Sequence, residues 1–213
     1  MKFFLVFIVA FCLGACTTGT SAVVETVKLI GRRDTQAAQP PSAPGLRYLR
    51  VDTHDGTVFM VLGYVEHAAD GDTNVWYSNK GEVVKLRRGR IVATAGLATD
   101  WRDVRFSSLP DWHQAAGQTL RYRRSRDEMP GYRFGIDETL ILHAIEAPQD
   151  VAFAAPAGAA LRWFEERVDG LLPDALPPSL YAVDLNTGRT LYGRQCLAAN
   201  LCLAWQAWSE GMR

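Results

Sequence analysis

Short runs in which hydrophobic and polar residues alternate dominate the chain from Leu46 onward. This period-two pattern predicts β-strands, because successive side chains of a strand point to opposite faces. Turn-forming sequences such as Asp55-Gly56 and Asp70-Gly71 separate the runs. The predicted strands cover residues 46–51, 58–65, 75–77, 83–86, 91–95, 119–125, 131–134, 138–145, 180–184, 190–194 and 203–208.

The spacing of these strands predicts a mainly β fold, either an antiparallel β-barrel-like structure or an open β-sandwich meander. One or two short helices are expected with it. Residues 23–33 and residues 156–169 each place several hydrophobic side chains on one helical stripe. Residues 99–116 predict an irregular segment with a helical turn, and the prolines within residues 34–45 predict a loop.

The N-terminal end carries a different pattern. Lys2 precedes an apolar run over residues 3–13, which has the length of a signal peptide and is too short to span a bilayer. The run ends in Leu13-Gly14-Ala15-Cys16, which resembles a bacterial lipobox. The cysteine thiolate is the nucleophile that would accept a diacylglyceryl group. An ordinary cleaved signal peptide with a chance cysteine, or a short N-terminal anchor, are the alternatives.

The lipobox interpretation divides the chain into three parts. Residues 1–15 are the predicted lipoprotein signal peptide, residues 16–45 a lipidated tether with a short helix and a Pro-rich loop, and residues 46–213 a single β-rich domain. Several acyl chains on Cys16 would hold the protein stably at a membrane. Because Thr17 follows the cysteine where an aspartate favours inner-membrane retention, the expected location is the outer membrane, facing the periplasm.

The amino-acid composition argues against a nucleic-acid-binding protein and against a membrane-spanning helix. Hydrophobic residues make up 48% of the chain, and 23 basic residues balance 23 acidic ones. A net charge of zero offers no electrostatic footprint for nucleic acid. No second apolar stretch reaches the length of a membrane-spanning helix, so none is predicted.

Two of the four cysteines remain in the predicted domain. Cys12 leaves with the signal peptide, and Cys16 would carry lipid. Cys196 and Cys202 form an even pair in a chain exported to an oxidising compartment, which predicts a structural disulfide. Neither zinc-ligand spacing nor a Cys-x-x-Cys redox motif accompanies them.

The sequence predicts no catalytic residues, metal or cofactor. Glycoside hydrolysis requires two facing carboxylates, and the candidate pairs are Asp100 with Asp103 and Asp70 with Asp72. Both pairs lie in turn-like segments, where aspartate commonly bonds its own backbone. No Gly-x-Ser-x-Gly motif is present, and the four histidines are scattered without a metal-binding or dyad spacing.

Contact with a glycan or a partner protein is the more plausible surface chemistry, because indole rings stack on sugars and arginine binds carboxylates. On a β-strand Arg121 and Arg123 would share one face, while Arg124 and Arg126 share the other. Tryptophans packed in the core and a charged, solvated strand edge are the alternative interpretation. The candidate contact residues are Trp76, Arg90, Trp101, Arg121 and Arg123.

Three ordered segments of the chain resemble the YjbF/GfcB lipoprotein family, which is linked to exopolysaccharide and group 4 capsule production. They are residues 76–82, residues 89–97 followed by Asp100-Trp101, and residues 181–188 followed by Arg194-Gln195. The chain departs from the family at Ala182, where a tryptophan is usual, and in the Cys196/Cys202 pair, where the family has no cysteines.

The resemblance implies a mainly antiparallel, barrel-like β fold without established catalytic residues. It also implies a role beside other envelope proteins of a polysaccharide secretion pathway, including an outer-membrane protein. The expected function is a non-enzymatic outer-membrane lipoprotein that assists exopolysaccharide or capsule assembly or export, docking on a partner, contacting the polymer, or both. Two alternatives are a polysaccharide-modifying enzyme and a structural or carrier lipoprotein with an apolar cavity.

Overall fold

The computed structural model describes residue 43 and residues 45–153, 155–170 and 175–208. The predicted signal peptide, the predicted lipidation site Cys16, the predicted helix at residues 23–33 and nearly all of the predicted Pro-rich loop lie outside these residues.

Twelve β-strands and one short helix make up the described part of the chain. The strands are β1 (Tyr48–Thr53), β2 (Gly56–Glu66), β3 (Thr73–Tyr77), β4 (Val83–Arg87), β5 (Arg90–Ala95), β6 (Asp100–Phe106), β7 (Leu120–Met129), β8 (Arg133–Ile145), β9 (Leu161–Val168), β10 (Ser179–Asp184), β11 (Arg189–Ala198) and β12 (Leu201–Trp208). The helix α1 (Trp112–Gly117) lies between β6 and β7. No helix in the described ranges is both long and apolar enough to cross a membrane.

The strands form one antiparallel sheet that curls into a nearly closed barrel. Its spatial order is β5-β4-β3-β2-β1-β12-β11-β10-β9-β8-β7-β6, so almost every strand pairs with its neighbours in sequence. The exception is the ladder that joins the first strand to the last, in which Tyr48 lies opposite Trp208 and Val51 opposite Trp205. The predicted mainly β, antiparallel, barrel-like meander is therefore confirmed.

Side chains, and not a β-ladder, join the two edge strands β5 and β6. Thr94 of β5 donates its hydroxyl to Asp100 Oδ1 at 3.0 Å and accepts the backbone N–H of Trp101 at 3.0 Å. The other bonds to the Asp100 carboxylate come from the backbone N–H groups of Gly96 and Leu97, at 3.0 and 3.2 Å. These bonds satisfy backbone groups at a sheet edge that would otherwise lack partners.

The helix α1 lies beside the turn between β10 and β11. Asp111 caps its N-terminus by accepting the N–H of His113 at 2.8 Å. His113 Nε2 lies 2.7 Å from the carbonyl of Leu185, which can only accept a hydrogen bond, so this nitrogen donates. Trp112 is buried, with its ring centroid 5.1 Å from that of Phe164 and 5.2 Å from that of Tyr181. The irregular segment predicted at residues 99–116 therefore contains both a strand and this helix.

The predicted helix at residues 156–169 was wrong, because this segment contains strand β9. Phe164, Glu166 and Val168 are all buried, with an alternating pattern over the last part of the strand. Glu166 is a buried carboxylate at a position where the sequence pattern indicates a solvated one. The hydrophobic spacing alone therefore matched a helical period.

Gly193 of β11 leaves space for the side chain of Trp205 in β12. The indole ring of Trp205 lies over Gly193 of β11, where an added Cβ would come within 2.3 Å of the ring. A smaller hydrophobic cluster lies apart from the main core, where Val151 and Phe153 pack against Trp163 and Tyr192. Together these contacts bury hydrophobic side chains in a main core and a smaller satellite cluster.

The predicted disulfide between Cys196 and Cys202 is confirmed. The two cysteines lie opposite each other in the β11–β12 hairpin. Because the bond closes only a short loop, the chain-entropy model gives it about 2 kcal/mol of stabilisation.

Candidate functional site

A network of charged side chains lies buried inside the barrel. We call it the interior ion network, formed by Arg90, Arg124, Arg126, Glu138 and Glu166. Arg90 of β5 donates from Nε to Glu166 Oε2 of β9 at 2.8 Å, and both side chains are only 1% exposed. This pair connects the edge strand β5 to β9, across 76 residues of sequence and without a shared β-ladder.

Two tyrosines supply further hydrogen bonds to Glu166. The Tyr122 hydroxyl donates to its carboxylate, and the Tyr181 hydroxyl shares its one proton between Glu166 Oε1 at 3.4 Å and Gln195 Oε1 at 3.2 Å. Gln195 Oε1 also accepts the backbone N–H of Ile91 at 3.1 Å. Burial, together with the negative charge of Glu166, raises the pKa of both tyrosines above the usual value. Their hydroxyls therefore stay protonated and serve as donors.

Arg90 is held by charge and by stacking. Burial by itself lowers its pKa, but Tyr122, Glu166 and Tyr181 outweigh this effect, and the pKa lies above the usual arginine value. Its guanidinium carbon lies 4.0 Å from the centroid of the Trp112 ring, a cation–π geometry. Its Nη1 and Nη2 atoms make no hydrogen bond to any residue that the structure describes. Through Trp112, the ion network reaches the helix α1.

Trp101 occupies the centre of the second half of the network. The guanidinium groups of Arg124 and Arg126 each lie 4.7 Å from its ring. Arg124 donates to Glu138 Oε2 from Nε and Nη2, at 2.9 and 2.7 Å, and Arg126 Nε reaches the same oxygen at 3.2 Å. The indole N–H of Trp101 donates to the carbonyl of Leu197 at 3.0 Å. The indole nitrogen, the one polar atom of the ring, is therefore hydrogen-bonded in the interior.

The charge on Glu138 predicts an acid-sensitive contribution to stability. Burial alone raises its pKa, but Arg124 and Arg126 outweigh burial and lower it below 4.5. The ionised form is thus favoured by folding, so its contribution is complete above the unfolded value of about 4.3 and is lost as the pH falls through the lower folded value.

We expect Glu138→Gln to flatten the loss of stability below pH 5, relative to the wild type. Urea unfolding at a series of pH values would measure this, with the exposed Glu146→Gln as the matched control. If the free energy of unfolding falls equally steeply below pH 5 in Glu138→Gln and in the wild type, the role assigned to the Glu138 charge is contradicted.

Three of the five candidate contact residues are buried, which corrects their predicted surface role. Trp76, Arg90 and Trp101 belong to the least exposed residues of the structure. Trp101 and Arg90 hold the ion network, and Trp76 packs in the main hydrophobic core. Their side chains do not reach a surface that a polymer could touch.

The other two candidates, Arg121 and Arg123, lie on the outer face of β7. Their side chains are 63% and 68% exposed, and they pair with Asp169 and Asp137. Arg124 and Arg126 lie on the buried face, as the alternation of a strand predicts. The arginine run is therefore divided between an accessible surface pair and an interior pair.

The candidate carboxylate pairs do not converge. Asp100 bonds the chain between β5 and β6, whereas Asp103 is exposed and pairs with Arg105 at 3.1 Å. Asp70 pairs with Arg87, and Asp72 with His67. No group of three His, Cys, Asp or Glu side chains in the described ranges is arranged to hold a metal ion.

Side chains fill the interior around the ion network. A small cavity beside Arg124 and Glu166, lined also by Ser179 and Leu176, has room for about one water molecule. Sequence reasoning missed Glu138, Glu166 and Gln195 because it treated charged and polar positions as solvated. One signal was available in the sequence. The three segments that resemble the YjbF/GfcB family contain Arg90-Ile91, Asp100-Trp101 and Gln195, and the fold brings these residues together.

The fold and its buried ion network define a small antiparallel β-barrel-like protein. The chain belongs to the family described as group 4 capsule polysaccharide lipoprotein GfcB, YjbF, whose model matches residues 33–203. The resemblance noted in the sequence is thereby confirmed.

A solved structure supports the fold independently. The crystal structure of the hypothetical lipoprotein YmcC from Escherichia coli K12 is similar, with a TM-score of 0.60 and 19% sequence identity. The similarity covers 78% of this chain and 84% of that one. Comparison with curated protein sequences gives no significant match.

Proposed function

We propose that this protein is a lipid-anchored, non-enzymatic accessory factor in the assembly or export of a capsule or exopolysaccharide. The observation that carries the proposal is the family match over residues 33–203, because the family is described as a capsule polysaccharide lipoprotein. In this proposal Cys16 carries the lipid, the protein faces the periplasm from the outer membrane, and residues 46–213 form one β-rich domain.

The structure supports an interaction role more than a catalytic one. The candidate carboxylates are engaged in structural contacts, and both carboxylates of the interior ion network are bonded to arginines. These ion pairs join β5 to β9 and β7 to β8, which favours one arrangement of the barrel. The proposed partners are envelope proteins of the secretion pathway and the polymer itself, with Arg121 and Arg123 on an accessible face.

Measurement of cell-surface polysaccharide tests the proposal. We expect the polymer to fall in a strain that lacks this chain and to return with the wild-type gene. Cys16→Ala is expected to restore it poorly, because the protein would lack the acyl chains that hold it at the membrane. Palmitate labelling of the wild type and of Cys16→Ala is the control for lipidation. Unchanged polymer in the deletion strain, under conditions where the polymer is made, would overturn the function.

A further inference from the structure

Two exposed tyrosines lie side by side on the outer face of β2 and β3. Tyr64 is 48% exposed and Tyr77 39% exposed. Their ring centroids lie 6.4 Å apart, and the ring planes differ by 38°. We call Tyr64 and Tyr77 the tyrosine platform. Two large aromatic rings side by side at a protein surface leave apolar area in contact with water.

A glycine and a β-bulge hold this platform in place. The β2–β3 register shifts between Leu62 and Tyr64, so Gly63 is the additional residue and Tyr64 lies opposite Val75. The ring of Tyr77 lies against Gly63, where an added Cβ would come within 2.5 Å of Cε2. Bulges often reorient a side chain at functional positions. Here the bulge places Tyr64 next to the ring of Tyr77, which covers the backbone at Gly63.

Polar groups border the rings on one side. The Tyr64 hydroxyl donates to Glu66 Oε1 at 3.3 Å, and Lys85 Nζ reaches the same oxygen at 2.6 Å. A protonated hydroxyl, a carboxylate and an ammonium group therefore lie together at the edge of the rings.

We propose that the tyrosine platform binds a pyranose unit of the polysaccharide. The apolar C–H face of a sugar ring matches an aromatic surface, and its hydroxyls match neighbouring acceptors and donors such as Glu66 and Lys85. The inference rests on the proposed function, which supplies a polysaccharide as the neighbouring molecule. The sugar contact is thereby assigned to Tyr64 and Tyr77, and not to the buried Trp76 and Trp101.

The two tyrosines differ in how much they contribute to the sheet. An aromatic ring over a glycine stabilises a strand, and the Tyr77 ring has this place over Gly63. Tyr64 contributes a cross-strand aromatic pair, which is expected to stabilise the sheet only modestly. Replacement of Tyr64 is therefore expected to leave the protein folded, so that ligand binding can be measured.

The test is the affinity of the full-length protein, in detergent micelles, for beads that carry extracellular polysaccharide purified from the producing strain. We expect Tyr64→Ala to bind about tenfold more weakly and to remain folded at the temperature of the assay, as checked by its unfolding curve. Tyr77→Phe is expected to bind like the wild type, because it keeps the ring. Phe134→Ala, at an exposed position remote in sequence from the platform, is the matched control and is expected to bind normally.

Two results would overturn the inference: a wild-type protein that the polymer does not retain, or a folded Tyr64→Ala variant that is retained equally well. If Tyr64→Ala binds polymer normally but loses crosslinks to an envelope protein, the platform is a protein contact and the glycan inference is likewise overturned. The proposed function is judged separately, by the polymer level of the deletion strain, so failure of one does not imply failure of the other.

Discussion

Glu166→Gln is expected to lower the free energy of unfolding by about 3–5 kcal/mol. The change removes the charge but leaves nearly the same shape. Arg90 would then be a buried cation without its ionic partner, since Glu166 is the carboxylate that it contacts. The hydroxyls of Tyr122 and Tyr181 would also lose a charged acceptor. Removing one partner of a buried pair is much more damaging than replacing both.

Urea unfolding of the purified protein measures this effect. Glu165→Gln is the matched control, because it alters a partly exposed carboxylate on the same strand. Its expected effect is about 0.5 kcal/mol or less. Arg90→Met combined with Glu166→Gln should recover part of the loss, because neither charge then remains unpaired. Equal losses from Glu166→Gln and Glu165→Gln would show that the buried charge does not matter.

Trp101→Ala is expected to destabilise the protein by about 3–5 kcal/mol. The ring is completely buried between the guanidinium groups of Arg124 and Arg126. Its removal leaves a cavity and takes away the donor that satisfies the Leu197 carbonyl. Trp101→Phe keeps an aromatic ring near both arginines and loses the hydrogen bond, so an intermediate loss is expected.

Thermal and urea unfolding distinguish a core role of Trp101 from a role as a surface contact. Tyr132→Ala is the control, because Tyr132 is 72% exposed, and a surface change of this kind is expected to alter stability by about 0.5 kcal/mol at most. If Trp101→Ala is as stable as the wild type but binds polysaccharide less tightly, then Trp101 is a surface contact and its assignment to the core fails.

Most strands were predictable because one face of each is hydrophobic and the turns between them carry glycine. The errors occur where the inner face is polar. In β9 the buried Glu166 breaks the visible alternation, so the remaining hydrophobic residues matched a helix. In β6 the sequence from Asp100 to Phe106 is mostly charged, although Asp100, Trp101 and Val104 are buried. Hydropathy cannot distinguish a paired interior charge from a solvated one.

The candidate site was less predictable than the fold, because it depends on distant contacts. The disulfide followed from the number of cysteines and the expected compartment, and its partners lie close in sequence. Arg90 and Glu166 are 76 residues apart, and no local pattern connects them. The tyrosine platform depends on a register shift at Gly63 that alternation alone does not reveal.

The ladder between β1 and β12 has a consequence for the order in which the chain can fold. Ten of the eleven ladders join strands that are consecutive in sequence, whereas this one, in the middle of the sheet, joins the first described strand to the last. Contacts between distant residues form slowly, because a long loop must close first. A chain that is made from its N-terminus therefore has β2 to pair with β1, but lacks the second partner, β12, until most of the domain has been synthesised. Closure of this ladder early in synthesis is disfavoured by the order of the strands themselves.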